Sequence, residues 1–481
     1  MSKTSFPKPL LWIPVIFSIT MLVGCVTVGP DYIRPEVSIS NDWHTKLKGG
    51  LTSKEMDQQI EAAWWATLND PKLTGLIERA VAGNLDLKKA MARIREARAR
   101  RGVARADFFP SLDATGKVSR SRSSDEAGND MTVDLYSVGF DAGWELDIFG
   151  GVRRSVEAAE ASLQASREDW RDVLVSLLAE VALNYIDVRT YQARLTVAEA
   201  NLKIQIETCQ LTVWRYQAGL SDELAVQQAR YNLENTRSQI PTLRTGLEEA
   251  MNRIAVLLGE QPGKIHVVVE ERQSIPAASL NVAVGVPADA MRNRPDVRKA
   301  ERNLASQTAT IGVATANLYP KFKLSGSIGL AASSSGNLFS ADSKTYSFGP
   351  SITWPIFDGG AIRQNIEVQS ALQEQYLIAY VAAVFKALEE VENAIVAFVE
   401  EQYRKQSLIE ATQAAQQAAE LAQYKYQTGL TDFNNVLDAQ RSLLSFQDQL
   451  TQSEGTVISN LVRLYKALGG GWSSLSPGNE K

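Results

Sequence analysis

The sequence predicts a mixed α and β fold: a transmembrane β-barrel of four strands per protomer, continued by a long α-helical barrel with an equatorial mixed region. Three observations predict it. In Val133–Gly151 the even positions Tyr136, Val138, Phe140, Ala142, Trp144 and Leu146 are apolar, while Ser137, Gly139, Asp141, Gly143 and Glu145 between them are small or acidic. That period-2 alternation describes a strand with a different solvent on each side. The arrangement returns 210 residues later at Tyr346, Phe348, Pro350, Ile352 and Trp354, with Ser347, Gly349, Ser351 and Thr353 between them. Each such strand then feeds a very long helical pattern.

The N-terminus comes first in chain order. Lys3 and Lys8 precede the apolar run Leu10–Val23, which is too short to span a bilayer and suits a signal peptide over residues 1–24. The run closes on Leu22-Val23-Gly24-Cys25, which resembles a bacterial lipobox. The resemblance implies a covalent lipid on Cys25 and export from the cytoplasm, and Val26 in place of Asp fits outer-membrane sorting. Loss of residues 1–24 removes two lysines and no acid, so the formal charge of −5 becomes −7. Cys209 is then the only free thiol, and the mature chain has no partner for an internal disulfide. Residues 25–70 read as a lipid anchor and tether, held extended by Pro30 and Pro35.

Asp70-Pro71 opens a helical region to about Asp107, with Asp70 as N-cap and Pro71 in the first turn. The arginines from Arg93 to Arg105 read as a solvated helix face. Phe108-Phe109-Pro110 ends the helix, and Leu112, Ala114, Gly116 and Val118 alternate with polar residues. This segment, the polar loop Ser121–Met131 and the Val133–Gly151 stretch form a hairpin. Strands of this length match tilted transmembrane strands. Phe109, Tyr136, Trp144, Tyr319, Tyr346 and Trp354 are the candidate membrane-interface belt.

From Arg153 to Tyr216 there is no proline or glycine, 64 residues of helix-compatible sequence. Arg215-Tyr216-Gln217-Ala218-Gly219-Leu220-Ser221-Asp222 breaks it, with Gly219 suited to a left-handed C-cap and Ser221 to capping the next helix. A return helix runs to about Leu258, with Pro241 expected to kink it. Residues 261–287 read as an equatorial connector with a strand-like run at Ile265–Val269.

The pattern then restarts. Asp86 matches Asp296, Gly102 Gly312, Pro110 Pro320, Trp144 Trp354, Gly219 Gly429 and Gly259 Gly469, all at an offset of 210 without a gap. The domains expected are a first repeat over 71–260, a second over 288–470 and a tail over 471–481. Phe322, Leu324, Gly326, Ile328 and Leu330 pair with the strand ending at Trp354, across the Ser-rich loop Ala331–Lys344. Four strands cannot close a barrel, and open edges are not tolerated in lipid. Two copies give eight strands and a filled interior, whereas three give twelve and room for a channel.

Composition narrows the function. Fifty basic residues against 55 acidic ones argue against a nucleic-acid binder. Two histidines and two cysteines leave little for a metal or redox site, and HExxH, GxSxG, GxxxxGK[ST] and GxGxxG are all missing. Nothing points to an enzyme, a catalytic residue or a metal.

Val28-Gly29-Pro30-Asp31-Tyr32-Ile33-Arg34-Pro35, directly behind the lipobox, resembles the start of the TolC/NodT-type outer-membrane efflux lipoproteins. RYQAGL resembles the periplasmic hairpin tips of that group, and VLDAQRSL the inner helix near its closed periplasmic end. The resemblance covers essentially the whole mature chain. It implies a TolC-like homotrimer in outer-membrane lipid, acting as the passive exit duct of a tripartite efflux system for small toxic compounds or drugs. A periplasmic adaptor and an inner-membrane proton-driven pump of the resistance-nodulation-division type are the implied partners. Tyr216, Gly219, Leu220, Ser221, Tyr426, Gly429, Leu430 and Thr431 become candidate adaptor-docking tips. Tyr426, Thr431, Asn435 and Asp438 become candidate gate residues, with Asp438 facing the pore; Asn435 and Thr431 depart from the commonest family pattern. A type I protein-secretion channel and a non-conducting periplasmic scaffold are the alternatives.

Overall fold

The structure is a computed structural model that describes residues 27–54, 60, 62–124, 126 and 131–472. The signal segment, Cys25 and the end of the tail lie outside the described residues. The chain divides into two compact units.

The first unit comprises residues up to 35, 95–165 and 300–380. It holds one antiparallel sheet, ordered β2-β3-β5-β6, where β2 is Ser111–Arg122, β3 Thr132–Leu146, β5 Lys321–Ala332 and β6 Lys344–Thr353. The register pairs even residues with even ones throughout, as in Val138 with Gly116 and Leu330, or Phe348 with Gly326. The alternation of each strand therefore adds up across all four. Both hairpins form as expected, although β5 runs on to Ala332 and the Ser-rich loop holds two short 3-10 turns, Ser335–Asn337 and Ala341–Ser343.

Beside the sheet lies the tether. The Arg154 guanidinium donates to Val28 O at 3.1 Å, Gly29 O at 3.2 Å and Asp31 Oδ1 at 2.7 Å. Gly29 sits so close to Gly312 that a Cβ on it would lie 2.4 Å from the Gly312 Cα. Tyr32 donates to Glu301 Oε1 at 3.2 Å; burial and that carboxylate push its hydroxyl to about 12, so it stays a donor. The VGPDY segment is thus fastened by the buried Arg154, together with the Tyr32–Glu301 bond. Arg154→Ala is expected to raise amide exchange at Val28, now bonded to Phe149 O at 3.1 Å, by about tenfold or more. Hydrogen-exchange mass spectrometry of the folded protein checks this.

The second unit comprises residues 36–94, 166–299 and 381 onward. A short parallel pair joins β1, Leu51–Thr52, to β4, Val282–Ala283. The helical region at 71–107 is two helices, α1 Pro71–Gly83 and α2 Leu85–Ala106. Asn84 breaks it: its Nδ2 donates to Leu257 O at 2.8 Å and its Oδ1 accepts from Leu87 N at 2.9 Å. A side chain that bonds backbone on both sides competes with helix continuity. Asp70 caps α1, accepting from Lys72 N and Leu73 N.

The long helices are α3, Gly151–Gln217, and α4, Glu223–Leu257; α4 is assigned as one helix through Pro241. The connector corrects the sequence reading. Ile265–Val269 is not a strand; His266–Val269 is a single helical turn, α5. Ile265 and Val269, four apart, are both fully buried, while Val267 is 88% exposed. That i,i+4 burial suits a helical turn, which the β-branched composition had hidden. Then follow α6 Pro287–Asn293, α7 Pro295–Ala316, α8 Ala361–Gln427 and α9 Phe433–Ala467. The helices α3 and α8 each have 67 residues, and α4 and α9 each have 35. The core of this unit includes Trp64, stacked on Tyr465 at 5.6 Å, with Leu73, Ile77, Leu174, Ile186 and Ile254.

His266 sits at the edge of the connector, its Nε2 2.8 Å from Glu248 Oε2 and its Nδ1 3.0 Å from Gly263 O. The bond to Glu248 raises its pKa above the usual imidazole value. A raised folded value gives stability that is complete below about pH 6.5 and lost as pH climbs through the folded value. His266→Ala is therefore expected to flatten a small decline in thermal midpoint between pH 6 and 8. The pair is exposed, so the effect stays below about 1 kcal/mol.

Candidate functional site

Two regions carry the functional side chains, one in each unit. In the sheet, one face presents Leu112, Val118, Phe140, Ile328, Phe348 and Ile352, all exposed on the single chain; Phe348 is 82% exposed. A soluble protein does not leave such a surface bare. The opposite face is polar and cross-linked: Thr115 Oγ1 donates to Asp141 Oδ2 at 2.9 Å, Ser327 and Ser347 share a 2.9 Å bond, and Lys323 lies 3.8 Å from Glu145. From Tyr136 to Leu146 the apolar face spans ten steps of about 3.4 Å, which at a tilt of about 45° gives about 24 Å, the height of an outer-membrane apolar band. The apolar rows end toward the hairpin loop with Arg120 on Asp134 at 2.7 and 2.9 Å.

At the other end the two tryptophans are held alike. Trp144 Nε1 donates to Phe108 O and Trp354 Nε1 to Leu318 O, both at 3.0 Å and both across 36 residues. Indoles with an exposed ring and a bonded N–H are built for an interface. Of the other belt candidates, Tyr319 stacks on Phe149 at 4.6 Å, Phe109 and Tyr346 are exposed, and Tyr136 is half-buried. The outer edges of the sheet, on β2 and β6, have no partner strand among the described residues.

The second region is the pair of helical turns. Gly219 and Gly429 both have φ of 75°, the left-handed region that glycine enters freely. Each turn closes with the double bond of a Schellman cap: Gly219 N to Tyr216 O and Leu220 N to Arg215 O, then Gly429 N to Tyr426 O and Leu430 N to Lys425 O. Leu220 and Leu430 project into solvent at 68% and 74% exposed, and Tyr216 is exposed beside them. The cap of α4 is Asp222, whose side chain accepts from Ala225 N at 2.8 Å, and not Ser221. A carboxylate at that position is the better acceptor at the positive helix end.

Beneath the turns lies an apolar cluster of Ala225, Ala229, Leu233, Phe433, Val436 and Leu437 with Cys209, whose thiol is buried. Tyr426 packs on it, 5.2 Å from the Phe433 ring, and carries the Arg215 guanidinium 4.5 Å over its own ring. Thr431 accepts from Asn435 Nδ2 at 2.7 Å, one turn apart. Asp438 is exposed and lies 3.5 Å from Arg441 Nη1. The four gate candidates thus flank one turn, Tyr426 at the end of α8 and Asn435 and Asp438 at the start of α9, and only Thr431 and Asn435 bond each other.

Sequence reasoning missed the residues that join the two halves here. Arg441 Nη2 donates to Tyr231 OH at 2.8 Å and to Asn232 Oδ1 at 3.3 Å, tying α9 to α4. Tyr231 and Arg441 are equivalent positions of the two repeats, 210 apart. The repeat offset was the available signal: here equivalent positions of the two repeats meet. Among the described residues no group of acids, histidines and cysteines could hold a metal ion, and no helix is long and apolar enough to cross a membrane.

Known proteins share this organisation. The family described as "Outer membrane efflux protein" matches residues 76–260 and 286–470. Nodulation protein T of Rhizobium leguminosarum bv. trifolii is 34% identical over 93% of this chain and 94% of its own. The toluene efflux pump outer membrane protein TtgI of Pseudomonas putida is 32% identical over 95% and 98%. Among solved structures, the outer-membrane channel OprN superposes with a TM-score of 0.87 at 35% identity, covering 93% of this chain and 99% of its own. CusC superposes at 0.82 with 29% identity, covering 92% and 100%. The family is one of transport channels and not an enzyme class. With a two-faced sheet, two long helical hairpins and that match across both repeats, the chain belongs to the outer membrane efflux protein family and is an outer-membrane efflux channel of the TolC/NodT type.

Proposed function

We propose that three copies join β2 of one to β6 of the next, closing a twelve-stranded barrel that is anchored by lipid on Cys25 and conducts small toxic organic compounds outward. The observation that carries this is the sheet, with one apolar exposed face, one polar face and two unpartnered edges. In lipid those edges must pair, and three copies form the smallest closed ring with a hollow interior. The names of relatives support small cargo: they include a solvent efflux pump protein, a toluene efflux pump protein and a cation efflux protein. Polar lumen faces without a catalytic constellation suit passive conduction, with energy from an inner-membrane proton-driven pump reached through a periplasmic adaptor.

The exposed Leu220 and Leu430, with Tyr216, Gly219, Ser221, Tyr426, Gly429 and Thr431 around them, are the proposed adaptor-docking tips. Tyr426, Thr431, Asn435 and Asp438 form the proposed gate, and Arg441 is added to it because it bonds Tyr231 and Asn232 across α4 and α9. Three Asp438 carboxylates near one axis would repel each other, slow anions and hold cations weakly. The proposed divisions stay at 71–260, 261–287 and 288–470, with the belt at Phe109, Tyr136, Trp144, Tyr319, Tyr346 and Trp354.

The test is single-channel recording of the purified, lipidated protein in planar bilayers. Stepwise conductance that increases in Asp438→Ala supports the duct; a protein that never conducts is a scaffold. A deletion strain that accumulates dyes and antibiotics supports small cargo, and one that instead retains a secreted protein points to type I secretion. Mass spectrometry of the mature N-terminus checks Cys25.

A further inference from the structure

Four polar side chains meet inside the helical hairpins. Gln205 and Thr208 on α3, Asn232 on α4 and Gln440 on α9 line one cavity, whose remaining walls are Ala229 and Leu437. About 10 Å³ is open to the centre of a water-sized sphere, close to the room that one water needs. Three buried atoms on these side chains have no hydrogen-bond partner: Gln205 Oε1, Gln440 Oε1 and Asn232 Nδ2. Asn232 is 7% exposed, so bulk solvent does not supply the missing bond.

A neighbour that can only donate orients one of these amides, Asn232; the Thr208 hydroxyl can serve Gln440 either way round. Gln440 Nε2 donates to Thr208 Oγ1 at 3.5 Å, which leaves its oxygen without a partner. Asn232 Oδ1 accepts from Arg441 Nη2, and turning that amide would set donor against donor. As placed, Gln205 Oε1 and Gln440 Oε1 give the cavity two acceptors, and Asn232 Nδ2 gives it one donor.

We propose that this cavity is a built site for one resident water molecule, and that the water positions Asn232 to hold Arg441. A water that donates to Gln205 and Gln440 and accepts from Asn232 makes three bonds, the usual number for an internal water. A metal cation does not fit, because an amide N–H faces the cavity and a guanidinium is bonded to the same side chain. Asn232 is the link: its two ends bond the water and Arg441, so the water ties α3, α4 and α9 together at one level. The positioning role rests on the gate reading above; the site itself does not.

The first test is a structure of the lipidated wild-type channel at a resolution that shows waters. One peak within hydrogen-bond distance of Gln205 Oε1, Gln440 Oε1 and Asn232 Nδ2 is expected; a dry cavity overturns the proposal. The second is conductance of the Gln205→Leu/Gln440→Leu double variant, which removes both acceptors. Its open fraction is expected to rise roughly fivefold, and to rise no further when Arg441→Ala is already present. An equal rise in the Arg441→Ala background, or no rise in a channel that Arg441→Ala does open, overturns the positioning role. If Arg441→Ala itself changes nothing, the gate reading fails, and the density alone then decides the water site.

Discussion

Phe140→Arg is expected to abolish assembly in the outer membrane, while Ser325→Arg leaves it intact. Phe140 is on β3, paired with Ala114 and Ile328, in the middle of the apolar face and 54% exposed. An arginine facing the midplane of a bilayer costs about 2–4 kcal/mol, so three copies in one barrel lose about 6–12 kcal/mol together. That approaches or exceeds the whole stability of an ordinary domain. Ser325 is on β5 between Gly143 and Gly349, on the polar face, where an arginine meets water. Outer-membrane fractionation and resistance of the assembled form to detergent and heat measure both variants. Equal recovery of the two would mean that the apolar face does not meet lipid.

The second large effect is expected at Arg189, whose side chain is fully buried. Its Nη1 donates to Glu271 O at 2.7 Å and Gln192 Oε1 at 2.8 Å; its Nη2 donates to Tyr185 OH at 2.9 Å and Gln273 Oε1 at 3.1 Å. Tyr185 in turn donates to Asp70 Oδ2 at 2.6 Å, the cap of α1. Burial and the bond to Asp70 push the Tyr185 hydroxyl pKa well up, which keeps it a donor there. One guanidinium thus holds the connector segment 270–273 against α3. Arg189→Met preserves volume but leaves several buried acceptors unsatisfied, each worth about 1–3 kcal/mol, so a loss of at least about 3 kcal/mol is expected. The urea midpoint should fall, and trypsin should cut faster at Arg272, which in the folded protein pairs with Glu199 at 2.8 Å. Lysine, with one point of charge, should recover only part of the loss. A shift below about 1 kcal/mol for Arg189→Met would show that water replaces the side chain at little cost.

What could be read in the chain follows from the range of each interaction. Strand faces were legible because alternation is local and because the second copy at an offset of 210 repeats it. The Schellman turns were legible for the same reason: Gly219 and Gly429 must adopt a conformation that other residues resist. The break at Asn84 was not, because the residue that stops the helix does so by bonding Leu257, 173 positions away. Likewise the Arg189 cluster and the contact of Arg441 with Tyr231 depend on helices brought side by side, and no local pattern marks an arginine that will be buried. Ile265–Val269 misled because β-branched composition outweighed a burial period that only the folded environment reveals.

The shared parity of the four strands limits how this protein can diverge. Every pair in the register matches even with even, so losing a single codon within a strand would turn its remaining side chains over, serines and aspartates outward, phenylalanines inward. Length variation between natural relatives should therefore gather between Arg122 and Thr132 and between Ala332 and Lys344, where the count of residues is free. Within the strands themselves, insertions and deletions should come in twos.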